Sequence, residues 1–403
     1  MLEAFLDALL LQAGYNAALV ALGAGLLGVA AGSSGAFLFL RKRALVSDAI
    51  AHATLPGVGL AYIVMVMLGG EGRSLPGLLL GSALSAGAGL LAVQWLVART
   101  RLAEDAAIGA VLSVFFGFGI VLLTVIQNMS RGYQAGLEGF LLGSTAGMLF
   151  QDALLIAAGG ALAVAFTFLF RRPMTITAFD PEFAATAGID IRRMDLAMMG
   201  LVMGVTVIGL KLVGLILIVA MLIIPPVTAR LWSERTEHVV LTAGLFGGLS
   251  GYLGAALSAS APNLPTGPII VLIAFSLFVL SLLAAPRRGL LAGARMRQRY
   301  RKSLHRHQGL LAIARNDAVR NPATLKLLRR EGLIGRDGTA TEKGRDLAAT
   351  AARNEKRWAL ARQLYTDDVQ AGGYDGSRPI EELLTRDAIA QIDERLGEAS
   401  RDS

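Results

Sequence analysis

The sequence predicts an all-α polytopic membrane protein followed by a small, soluble, mostly α domain. Three observations predict it. Of 403 residues, 54% are hydrophobic and 47 are glycine, a composition that suits close helix packing in a bilayer better than a soluble core. Apolar runs recur from Ala13 to Ala285, most of them near the ~20 residues a helix needs to cross ~30 Å of hydrocarbon. The net charge of +8 lies wholly in the C-terminal part: from Pro286 onward 24 Lys/Arg face 16 Asp/Glu, against 14 and 14 before it. There is no cysteine, which excludes disulfides, thiolate metal sites and thiol nucleophiles.

Residues 1–11 read as a short amphipathic lead-in, and Met1–Asp7 has neither a basic leader nor a clear cleavage site, so no cleavable signal peptide is expected. The spans expected are Ala13–Leu40, Ala44–Gly69, Leu75–Ala98, Ala106–Ile126, Ala153–Phe170, Leu196–Leu210, Val213–Ala229, Val239–Leu257 and Thr266–Ala285. The run from Leu196 to Ala229 is continuous and apolar, and charge is the reason to divide it at Lys211. Arg41–Arg43, Arg99/Arg101, Arg171/Arg172, Arg192/Arg193, Arg230/Arg235 and Arg287/Arg288 share one face of the membrane only if nine spans alternate. That places the N-terminus outside and the C-terminus in the cytoplasm. Eight spans suffice if one run is re-entrant.

Two ionisable residues stand inside the second span. Asp48 and His52 are four apart and share one helix face. Ionisable groups are costly in a bilayer, so such a pair marks a functional position. Pro56, a further four residues on, frees a backbone carbonyl. A carboxylate and an imidazole on one face make half a site for a divalent cation; the alternative is a structural polar pair between helices. Oxygen and imidazole ligands suit Mn, Fe(II) and Zn, and without sulfur make Cu(I) a poor guest. Glu104 and Asp105 open a later span and are secondary candidates for the metal path, set against a plain role as acids at a helix N-terminus.

The connection Arg171–Asp195 carries capping signals. Asp180 precedes Pro181 at the first helical position, Glu182 stands in the first turn, and Gly188 reads as a stop. One short helix, Pro181–Ala187, is expected, with a role as a docking knob for another protein. Gly136–Leu149 is glycine-rich, with Glu138 near its start; it reads either as a half-helix lining a cavity or as a helix outside the bilayer. Asn263 and Pro265 read as turn chemistry, or as part of an outer gate. From Pro286 to Gln308 a polybasic linker holds eight cations and no acid, a pattern that favours anionic lipid. A soluble domain is expected over 309–403, helical in Leu310–Arg320, Thr324–Arg330, Glu342–Tyr365 and Ile380–Leu396 around a turn-rich Gly332–Gly338. His305 and His307 read as solvated.

SDAIAHATLPG at Ser47–Gly57 resembles the signature of the permease subunits of bacterial metal-ion (manganese, zinc, iron) ABC importers. The resemblance continues in RLAEDAAIGAVLS (Arg101–Ser113), GFLLGS (Gly139–Ser144), FDPEFAATAGI (Phe179–Ile189), IIPPVTAR (Ile223–Arg230) and LPTGPIIVL (Leu264–Leu272), covering about residues 15–285. It implies the type II importer fold and a multi-pass place in the bacterial inner membrane. It also implies partners: ABC ATPase subunits, a metal-binding substrate-binding protein, and a second copy or a related permease. By the same resemblance Asp48 and His52 are the metal site, and Phe179, Asp180, Pro181, Glu182, Phe183, Ala184, Ala187 and Gly188 form the coupling helix toward the ATPase. No GxxxxGK[ST] motif occurs in the 403 residues, so the chain is expected to be a transport subunit rather than an enzyme, with ATP bound elsewhere. No permanent cofactor is expected; the metal is cargo.

LLRREGLIGRDGTATEKGRDLA (Leu327–Ala348) resembles the wing and following helix of diphtheria-toxin-repressor-type winged-helix domains, but Asn354 stands where a metal-binding His is usual there. Two other functions are weighed: a siderophore or cobalamin permease, whose large ligands need no Asp–His pair, and a membrane-tethered DNA-binding regulator. No specific nucleic-acid binding is expected.

Overall fold

The computed structural model describes residues 2–70, 72, 74–129, 148–261, 264–286, 288–335, 337–364, 380–382 and 384–399. It forms two compact units, Met1–Leu290 and Leu291–Ser403. Among the described residues it is helical nearly throughout, and β structure is confined to one antiparallel bridge, Ile334–Ala340.

The first unit runs α1 (Leu2–Leu9), α2 (Tyr15–Leu40), α3 (Leu45–Met67), α4 (Leu75–Arg99), α5 (Glu104–Gln127), α6 (Phe150–Leu169), α7 (Arg171–Phe179) and α8 (Pro181–Thr186). It continues with α9 (Ile191–Leu210), α10 (Leu217–Trp232), α11 (Thr236–Ala259) and α12 (Thr266–Ala284). Among the described residues eight of these, α2 to α6, α9, α11 and α12, are long and apolar enough to cross a membrane, and α10 is a shorter apolar helix.

The expected division of the Leu196–Ala229 run occurs at Gly214 rather than at Lys211. Gly214 has φ 74° and ψ 173°, in the left-handed region open to glycine. The chain reverses there. A Cβ on Gly209 would lie 2.6 Å from Cδ1 of Ile218, whereas nine residues along a straight helix span ~13.5 Å. Met198 and Ala229 also share one core cluster with Phe37 and Met174, so both ends of the pair return to one end of the bundle.

Small residues set the helix spacing. Along α2 and α11, Gly28 meets Gly247, Gly32 meets Ala243 and Ala24 meets Gly251, an antiparallel ladder four residues per rung. A Cβ on Gly28 would stand 2.1 Å from the Gly247 carbonyl oxygen, and one on Gly32 2.2 Å from that of Ala243. Helices in lipid gain little from burying apolar surface against each other, so close backbone approach and dispersion decide the pairing. The same device seats α3: Gly57 lies against Gly81 of α4, and Gly119 of α5 lies against Leu55.

The Arg171–Asp195 connection holds the expected helix α8, whose Asp180 side chain accepts a hydrogen bond from Phe183 N at 2.9 Å, with Gly188 at φ 80° behind it. It also holds α7, which the polar run Arg171–Phe179 did not announce. The segment 130–147, with Glu138 and nearly all of Gly136–Leu149, lies outside the described residues.

In the second unit, α13 (Leu290–Ala314) runs helical through the polybasic stretch that the sequence suggests as a linker. It is followed by α14 (Pro322–Arg330), capped by Asn321, then the bridge, α15 (Glu342–Leu364), a 3-10 turn at Ile380–Glu382 and α16 (Arg386–Ala399). One core gathers Leu310, Leu328, Leu333, Ile334 and Ala348; another gathers Trp358, Ala361, Ile380, Leu384 and Ile392. Against expectation, His305 and His307 are partnered: His305 Nδ1 lies 3.0 Å from Thr324 Oγ1 and His307 Nε2 lies 3.3 Å from Glu355 Oε2. Asn354 accepts from Ile380 N at 3.1 Å, which gives that amide a structural task.

Two outcomes follow. Gly28→Ala forces α2 and α11 apart and should destabilise the bundle by about 1–3 kcal/mol, read as a lowered thermal midpoint in detergent. Gly109→Ala, whose Cβ meets nothing within 4 Å, should leave the midpoint unchanged. In the second unit, hydrogen bonds from the Arg357 guanidinium hold the Asp393 carboxyl below its ordinary 3.8. A depressed carboxylate stabilises the fold above that value, and the contribution is lost as pH falls below it. Acid unfolding followed at Trp358, with Trp95 and Trp232 replaced by Phe, should shift to higher pH in Arg357→Gln.

Candidate metal site on α3

Helix α3 starts directly after the Arg41–Arg43 turn and is packed on most of its circumference. Ala49, Ile50, Ala51, Ala53, Thr54 and Leu55 are buried, held against α4 and α5 by the glycine contacts above. Along one stripe at helical spacing, Asp48 and His52 are half-buried and Leu60 and Val64 exposed, with the buried Pro56 between them. The Asp48 and His52 side chains are 35% and 21% exposed, and His52 Nε2 lies 3.4 Å from Asp48 Oδ1.

Three features mark this pair as more than a surface contact. Among the described residues the buried His52 Nδ1 has no hydrogen-bond partner, and buried polar atoms are rarely left so. The imidazole is fixed by an edge-on contact with Phe116 of α5, ring centroids 5.0 Å apart at 85°. Pro56 sits inside the helix, has no N–H, and so leaves the His52 carbonyl without its helical donor. Asp48 stands in the first turn of α3, where the helix N-terminus favours a carboxylate. A carboxylate, a neutral imidazole and a free carbonyl are oxygen and nitrogen donors suited to a divalent first-row metal. Among the described residues no three His, Cys, Asp or Glu side chains gather into a site, so one chain supplies two side-chain ligands.

The same stripe continues into an open groove of about 710 Å³ between α3, α4 and α5, lined by Pro56, Leu60, Val64, Leu84 and Phe118 among others. It is almost wholly apolar.

The secondary candidates separate. Glu104, in the first turn of α5, receives Arg43 Nε at 2.7 Å, while Asp105 is exposed. Arg43 Nη1 also reaches Asp195 Oδ2 at 2.7 Å, and Arg41 Nε reaches Asp195 Oδ1 at 3.2 Å. Arg41 Nη1 donates to the Thr177 carbonyl of α7 at 2.8 Å. Sequence reasoning took these arginines only as topology markers and did not single out Asp195; the acid just inside the α9 apolar run was the available signal. On α7–α8, Phe179 and Phe183 are 54% and 57% exposed, Glu182 and Ala187 are exposed, and Ala184 is buried. Asn263 lies outside the described residues, and Pro265 is the exposed residue that precedes α12.

Comparison with known proteins bears on the family of the chain. Residues 15–285 match the ABC 3 transport family. The manganese transport system membrane protein MntC of Bacillus subtilis (strain 168) is 43% identical over 288 residues, which cover 72% of this chain and 65% of that protein. The zinc transport system membrane protein TroC of Treponema pallidum (strain Nichols) is 36% identical over 290 residues, 72% of this chain and 95% of that protein. Among solved structures, a chain of PsaBC from Streptococcus pneumoniae, in complex with Fab, superposes with a TM-score of 0.60 at 29% identity, covering 72% of this chain and 98% of that one. With a family match running from α2 to the end of α12, over helices built to cross a membrane, the chain belongs to the ABC 3 transport family.

Proposed function

We propose that the chain is the permease subunit of an ATP-driven importer that carries a divalent transition metal into a bacterial cytoplasm, manganese first, with zinc and iron(II) behind it. The observation that carries the reading is the Asp48–His52 pair, two half-buried donors on one face of α3. The manganese and zinc transport relatives support the cargo class, and the higher identity to the manganese protein supports the ranking. The lack of a Walker A motif in these 403 residues supports a reading in which separate ATPase subunits hydrolyse ATP.

The metal is held by Asp48, His52 and the carbonyl that Pro56 frees, with a second permease surface closing over the stripe and groove. Two side chains from each of two copies make a four-ligand set; a related permease in place of the second copy changes those ligands but not the geometry on this side. A metal-binding protein delivers from outside. The helix α8, with Phe179 and Phe183 presented beside it, docks on the ATPase. The arginine-rich end of the bundle faces the cytoplasm, so the N-terminus lies outside and the tail inside. In the tail, Arg295, Arg297, Arg299 and Arg301 of α13 are exposed and suit anionic lipid. The α14–bridge–α15 order supports a winged-helix-like reading of 309–403, without specific nucleic-acid binding.

Metal uptake into proteoliposomes holding the permease, its ATPase and its binding protein tests the reading. Asp48→Asn and His52→Gln should each lower uptake at least ~10-fold with assembly intact, and the native ranking of Mn, Zn and Fe(II) names the cargo. Normal uptake by both variants would make Asp48 and His52 a structural pair.

A further inference from the structure

The charged cluster at the arginine-rich end of the bundle is built beyond what topology requires. Asp195 is shared by two arginines, and the four side chains are mostly buried: Asp195 is 12% exposed, Arg41 15%, Arg43 21% and Glu104 29%. Each member belongs to a different moving part. Arg41 caps α2, Arg43 stands in the turn that opens α3, Glu104 is the first residue of α5, and Asp195 lies in the first turns of α9. Through Arg41 the cluster also grips α7, at the Thr177 carbonyl.

Helices α7 and α9 flank α8 directly in the chain, separated from it by one residue on one side and by the Ala187–Asp190 turn on the other. A displacement of α8 therefore reaches the cluster by two routes, α7 through Thr177 and α9 through Asp195. The receiving end is equally short, since Arg43 precedes Asp48 by five residues and nothing but the first turn of α3 separates them. Elsewhere at this end the ion pairs are exposed and peripheral: Arg171 with Glu237, side chains 40% and 64% exposed, and Arg288 with Glu234, 44% and 57%. Exposed pairs of that kind hold little, whereas a largely buried carboxylate that takes both oxygens to the Arg41 fork and a further 2.7 Å contact from Arg43 Nη1 is directional and costly to break.

We infer that Asp195, clamped by Arg41 and Arg43, is a positioning residue that transmits movement of α7–α8 onto the start of α3 and so onto Asp48 and His52. This deepens the proposed function and rests on it. Glu104 belongs to the same device: it holds Arg43 from the α5 side, so that α3 and α5, the two helices that frame His52 and Phe116, move together.

The test is the number of metal ions imported per ATP hydrolysed, measured on the complete importer in proteoliposomes. Asp195→Asn removes the shared charge at constant shape and should lower that ratio about fivefold or more while hydrolysis continues. Asp195→Glu, which keeps the charge, should recover much of it. A residue that merely supports the fold would lower assembly, hydrolysis and import together and leave the ratio unchanged; that result would overturn the inference, as would equal ratios for Asn and Glu. Should Asp195→Asn not assemble, Arg41→Lys carries the same test, because it keeps the charge but cannot span Asp195 and the Thr177 carbonyl at once. An unchanged ratio there again overturns it. Native complexes that import no metal would overturn the functional reading itself, whereas native import with unchanged ratios in the variants rejects the transmission role alone.

Discussion

Close backbone contact through glycine is the constraint on which the rest of the first unit depends. A bilayer offers no hydrophobic reward for bringing one apolar helix against another, so the Gly28–Gly247 and Gly57–Gly81 approaches decide which helices are neighbours. Their functional consequence is at α3. With Gly57 seated on α4 and Leu55 on Gly119 of α5, the helix has its packed faces fixed by main-chain proximity and cannot turn about its axis. The stripe that holds Asp48 and His52, the two residues that hydrocarbon tolerates least, is then fixed too.

Electrostatics divides the ionisable groups of this unit into two kinds. At the arginine-rich end Arg41 and Arg43 are matched, guanidinium to carboxylate, with Asp195 and Glu104. The pair inside the bundle is not matched: among the described residues Asp48 pairs with His52 at 3.4 Å, and the buried Nδ1 of His52 meets no hydrogen-bond partner. Arg41 and Arg43 stand just before α3 in the chain, yet they pair with Asp195 and Glu104. Keeping cations out of reach of Asp48 leaves its negative charge for a ligand, and the helix N-terminus steadies it without consuming a coordination position.

Much of this was legible in the sequence because the signals were local. Apolar run lengths located the spans, four-residue spacing placed Asp48 and His52 on one face, and Asp180, Pro181 and Gly188 marked α8 by capping chemistry alone. What failed to show was non-local or contrary to composition. The reversal within Leu196–Ala229 sits at Gly214 because a left-handed residue, not the charged Lys211, is what a sharp turn between two helices requires. Helix α7 has weak apolar character and is held by tertiary contact, Met174 and Thr177 being buried. The helical run through Leu290–Ala314 reads as a linker because its six cations between Arg295 and Arg306, with no acid among them, argue for solvation, yet Lys302 and Arg306 both pair with Glu331. Asp195 was hidden for the same reason: a lone acid at the head of an apolar run carries no mark of the two arginines, some 150 residues earlier, that claim it.

The import site proposed at α3 must bind and then let go, and its geometry suits that demand because it is unfinished. Two side chains and one released carbonyl satisfy no first-row divalent ion alone, so retention depends on what closes over the stripe. If closure and opening are driven from the ATPase end, the metal's coordination number becomes a function of helix position, and affinity falls as the second surface withdraws. A complete cage on one chain would have removed that dependence, since no rigid-body movement between chains would alter its ligand count. The unpartnered His52 nitrogen, the proline-broken ladder and the half-buried Asp48–His52 face are thus one device seen three ways. Each leaves a donor in low dielectric without a permanent partner, a cost that a static protein would have no reason to keep.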